Sequence, residues 1–65
     1  MHIGHTEDDM DQENLALRHL GEGIQKENIG QFHEALNEYM VANVLDPNLE
    51  IAQVKIDRLK RKMGL

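Results

Sequence analysis

The apolar positions of this chain fall into three stretches with helical spacing, separated by the few residues that break helices. Glycines at 4, 21, 23, 30 and 64 and a single proline, Pro47, leave residues 48–63 free of both breakers. In the first stretch Leu17, Leu20, Gly21, Ile24 and Asn28 recur at three- and four-residue intervals, the spacing that lines one side of a helix. Met1 to His5 has no such period and reads as a loose tail, with Thr6 or Asp11 as the expected helix cap. This helix is expected to close near Asn28, because Gly30 adopts a left-handed conformation at no steric cost.

From Gln31 the apolar set widens to Phe32, Ala35, Leu36, Tyr39, Ala42, Val44 and Leu45. Met40 and Val41 add surface aimed at a second neighbour, so the middle helix is expected to be sandwiched. Asp46 is placed to cap a third helix that has Pro47 in its first position, where a missing N–H is no loss. That helix carries Ala52, Ile56, Leu59 and Met63 on one stripe, Ile51 and Val54 beside it, and Gly64 as terminator. The pattern predicts an all-α fold of three antiparallel helices, with an acidic flexible tail over 1–10 and one domain over 11–65.

Residues 30–48 carry the pattern Gly30-x-Phe32-x-Glu34-Ala35-Leu36-x-x-Tyr39-x-x-Ala42-x-x-Leu45-Asp46-Pro47-Asn48. This resembles the second half of a tetratricopeptide (TPR) repeat: small residues let helices approach closely, aromatics fill the space between repeats, and a proline opens the next helix. The first half fits in two ways. Counting back twelve residues from Ala35 reaches Gly23 and places polar His19, Glu22 and Lys26 at positions the family fills with apolar side chains. Shifting the frame gives Leu17-x-x-Leu20-Gly21-x-x-Ile24, an aliphatic version with two extra residues in the turn. The second frame is preferred here, because burying unpaired charge costs more than lengthening a turn. The resemblance then implies a TPR-like helix-turn-helix over about residues 14–49, followed by an amphipathic capping helix. Three-helix microtubule-interacting and trafficking domains share the Gly-x-aromatic-x-x-Ala-Leu-x-x-Tyr run; Leu45-Asp46-Pro47-Asn48 favours the repeat.

Length decides how much weight a lone repeat can bear. Sixty-five residues bury only about 60% of the surface that the unfolded chain exposes, and repeats normally stack in groups of roughly three. There is no cysteine to supply a disulfide or a thiolate zinc site. Association is therefore expected, either between copies or, alternatively, as a small structural subunit of a larger hetero-complex.

Charge changes the picture by its distribution. The net charge of -5 opposes general nucleic-acid binding. Glu7, Asp8, Asp9, Asp11 and Glu13 make the first part acidic, whereas Lys55, Arg58, Lys60, Arg61 and Lys62 make the last helix basic. The basic cluster reads first as cations favoured at a helix C-terminus, since an RNA site lacks interleaved aromatics and no apolar run spans a bilayer. A soluble, cytoplasmic protein is expected, with no membrane, nucleic-acid or small-molecule partner.

Serine and cysteine are absent, and Gly21-x-Gly23 follows no strand, so neither a nucleophile motif nor a phosphate loop is evident. His19 and His33 fall on different helices without a triad partner. His2 and His5 with Asp8 and Asp9 offer metal-ligand types, but in a tail they read as solvated residues or a tag remnant. No catalytic residue, metal or cofactor is expected. By resemblance, the side of helix one that faces peptide ligands in the family holds Arg18, Glu22, Gln25 and Lys26, with Arg18 and Glu22 expected to form an i,i+4 ion pair. The apolar edge Met40, Val41 and Val44 completes the expected partner surface; core packing is the competing assignment for Met40. The function implied is a non-catalytic protein-interaction or assembly module.

Overall fold

A computed structural model describes the backbone of residues 4–65 and the side chains of residues 12–65. It consists of three helices, α1 (Gly4–Asn28), α2 (Phe32–Leu45) and α3 (Glu50–Met63), with no strand among the described residues. The all-α class expected from periodicity is the one observed. α1 begins ahead of both expected caps, because nothing between His5 and Leu20 breaks a helix. Residues 1–3 and the side chains of 4–11, which include most of the acidic stretch assigned to a tail over 1–10, lie outside the described residues.

Both predicted glycine stops act as expected. Gly30 sits at φ 82°, and the N–H groups of Gly30 and Gln31 donate to the carbonyls of Glu27 and Lys26 at 3.0 and 2.9 Å. Gly64 repeats the device at φ 82°, with Gly64 and Leu65 donating to Arg61 and Lys60 at 3.1 and 2.8 Å. These paired bonds satisfy carbonyls that a helix end would otherwise leave open.

The junction before α3 differs from expectation. Asp46 and Pro47 do not start the helix; they form a turn in which Leu49 N–H donates to the Asp46 carbonyl at 3.0 Å and Asn48 N–H to Asp46 Oδ1 at 3.2 Å. Aspartate followed by proline is a favoured opening for such a turn, because proline presets its φ and the carboxylate holds the backbone two residues on. The helix itself starts three residues beyond Pro47, with Leu49 at the cap.

α2 packs on both neighbours, whereas α1 and α3 scarcely touch each other. The core consists of Ala16 and Leu20 from α1, Ala35, Tyr39 and Ala42 from α2, and Ala52, Ile56 and Leu59 from α3. Half of these residues are alanine, which brings the helix backbones close, and Tyr39 and Leu59 are the large side chains that fill what remains.

α1 meets α2 most closely at Gly23, the glycine of the frame set aside above, although Leu20 and Ile24 of the preferred frame also face the core. Leu17 is 54% exposed and Gly21 faces open space, while Ala16, Leu20 and Gly23 are buried. A Cβ on Gly23 would stand 2.5 and 2.6 Å from Tyr39 Cε1 and Cδ1, and 3.2 Å from the Ala35 carbonyl oxygen. Gly23 thus makes room for the tyrosine ring. The polar residues that argued against this frame are not stranded, because His19, Glu22 and Lys26 flank the contact with their polar ends in water or paired.

Two alanine substitutions separate these glycines. Gly23→Ala must displace a fully buried ring and is expected to lower stability by about 1–3 kcal/mol, as overpacking does. Gly21→Ala meets nothing within 4 Å and is expected to raise it by about 0.5–1 kcal/mol. Urea melts of both variants at one protein concentration measure the difference in sign.

Candidate functional site

Three features of the surface carry chemistry or contact potential: a polar latch, a polar cluster at the α1–α2 seam, and an apolar strip. The latch begins at Tyr39, whose ring is fully buried and whose hydroxyl donates to Glu27 Oε1 at 2.6 Å. The second oxygen of Glu27 accepts from Lys62 Nζ at 3.1 Å, and the same ammonium lies 5.4 Å from the centroid of the Phe32 ring. One chain of contacts therefore joins all three helices. Burial, then the bond to Glu27, pushes the Tyr39 phenol well above its usual range. The tyrosine hydrogen bond, opposed by partial burial and reinforced by Lys62, holds the Glu27 carboxyl below its usual value.

On the neighbouring edge His19 Nδ1 lies 2.6 Å from Glu38 Oε1 and 3.9 Å from Glu22 Oε1. Lys26, two turns beyond His19 along α1, meets Glu34 at 3.4 Å. These contacts run in opposite order along the two helices, His19 to Glu38, Gly23 to Ala35 and Tyr39, Lys26 to Glu34. The expected Arg18–Glu22 ion pair is absent among the described residues, and Glu22 approaches His19 instead. Glu38 and Glu27 were not singled out from the sequence. The frame that pairs Gly23 with Ala35 was the one signal able to place Glu38 opposite His19.

The apolar strip lies on the outer side of α2. Met40, Val41 and Val44 are 46, 41 and 77% exposed, so the surface expected to meet a second neighbour, and Val44 within the apolar set, are uncovered within the chain. With Asn37 and Leu45 they line an open groove of about 350 Å³. Arg18, Glu22 and Gln25 are exposed on α1, and Lys26 is half-buried by its contact with Glu34. The structure thus brings Met40, Val41 and Val44 together and keeps them on a different helix from the α1 residues.

No family model, curated protein or solved structure matches the chain. No helix of the described residues is long and apolar enough to cross a membrane.

The latch sets opposite limits on stability. Because the folded Glu27 carboxyl titrates below its unfolded value, its contribution is present above about pH 4.5 and is lost as pH falls through the folded value. Because the Tyr39 phenol is raised, stability falls as pH rises past about 10, where the unfolded chain ionises and the folded one does not. Melting temperature followed against pH is expected to show a flatter alkaline limb in Tyr39→Phe and a flatter acid limb in Glu27→Gln. At neutral pH Tyr39→Phe should cost about 1 kcal/mol, the scale of one lost hydrogen bond.

Proposed function

We propose that this chain is a non-catalytic interaction and assembly module, a TPR-like antiparallel hairpin with a capping helix, which self-associates through the outer face of α2. The observation that carries this reading is the strip of Met40, Val41 and Val44, an apolar groove on the helix at the centre of the fold. A small chain with half its core made of alanine gains from covering such a strip. The close approach of Gly23 to Ala35 and Tyr39 supports the repeat-like reading, since it places a small residue where two helices of a repeat meet. Arg18, Glu22 and Gln25 provide a second, polar surface for a different protein.

Sedimentation equilibrium over a range of concentrations, with far-UV circular dichroism on the same samples, tests the self-association. The wild type is expected to form a species heavier than 7.5 kDa, and Val41→Lys combined with Val44→Lys to return it to a monomer. A helical wild-type monomer at every concentration, or an oligomer that the double substitution leaves intact, overturns the reading. A weakly helical monomer also overturns it, in favour of an obligate subunit of a larger assembly.

A further inference from the structure

We infer that His19, Glu22 and Glu38 form a binding site for a borderline divalent metal ion such as zinc, bridging α1 and α2. One imidazole nitrogen and one oxygen from each carboxylate lie within 4.8 Å of one another, on residues drawn from both helices. Ligands around a tetrahedral ion at bond lengths near 2.0–2.1 Å stand roughly 3.3 Å apart. The observed spacings from His19 Nδ1, 2.6 Å to Glu38 and 3.9 Å to Glu22, lie on either side of that value. Small rotations of two carboxylates about the imidazole therefore suffice to form three corners of a coordination sphere, and exposure of 48% at Glu22 leaves the fourth open to water.

A hydrogen bond between His19 and Glu38 accounts for that pair but not for the second carboxylate. Glu27 and Glu34 each have a lysine within ion-pair distance, whereas Glu22 and Glu38, among the described residues, share only the His19 imidazole. Two carboxylates about one imidazole present a double negative charge, which a dication on Nδ1 would balance. Imidazole with carboxylate suits zinc and its neighbours, while magnesium favours oxygen ligands alone. The site departs from the expectation that the chain has no metal centre, and it is independent of self-association.

Zinc titration of the full chain at neutral pH by calorimetry, with cobalt(II) absorption as a report on coordination, tests the site. Saturation at one ion per chain is expected, with magnesium giving no competition. Glu22→Gln, at an exposed position, should weaken zinc at least about tenfold without moving the metal-free melting temperature. Replacing His2 and His5 by glutamine should leave the affinity unchanged. Absence of saturable binding at millimolar zinc, equal affinity in Glu22→Gln, or loss of binding in the His2 and His5 variant would each overturn the assignment, the last by placing the ion on the N-terminal residues.

Discussion

The fold depends on the fit between Tyr39 and the gap left by Gly23. A side chain at position 23 would occupy the space of the ring, so α1 and α2 reach their packing distance only because one partner has no Cβ where the other is largest. The ring brings a hydroxyl into the interior, and a buried hydroxyl must find a partner. Glu27 supplies it one turn along α1, and its remaining oxygen holds Lys62 of α3. A steric complementarity between two helices thus becomes a polar connection among three, although α1 and α3 share almost no surface of their own.

Much of this architecture was legible in the residues. The extent of α2, the closure of α1 at Asn28 and the ends at Gly30 and Gly64 follow from breakers whose backbone requirements are local. The face of α1 was not legible in that way. Leucine at 17 gives a stronger hydrophobic signal than alanine and glycine at 16 and 23, yet Leu17 faces out while the smaller pair packs inward beside Leu20, because the opposing helix presents a tyrosine. Volume complementarity is a tertiary property, and the preference for burying large apolar groups cannot express it. Polar His19, Glu22 and Lys26 misled for a related reason: flanking positions bury a stem and leave the charged end paired or wet.

The surface features were legible in kind and not in direction. Met40, Val41 and Val44 are plainly apolar, but whether they meet α3 or solvent depends on the turn that delivers α3. That turn uses Asp46 and Pro47 to redirect the chain, and α3 starts only at Glu50. Glu38 carried no signal of its own, since an isolated glutamate on a helix is ordinary; its significance comes from standing opposite His19 once the register is set.

The order of the helices has a kinetic side. α2 is the chain neighbour of both elements on which it packs, and the connections span only residues 29–31 and 46–49. Nearly all helix–helix contact is therefore between segments adjacent in sequence, so little loop-closure entropy stands between the unfolded chain and its first native contacts. The Glu27–Lys62 bond, spanning 35 residues, is the conspicuous long-range link among the described residues. A topology of such local contacts belongs to the low-contact-order class that folds fast, so the clasp between the first and last helices adds stability with little effect on the search for the fold.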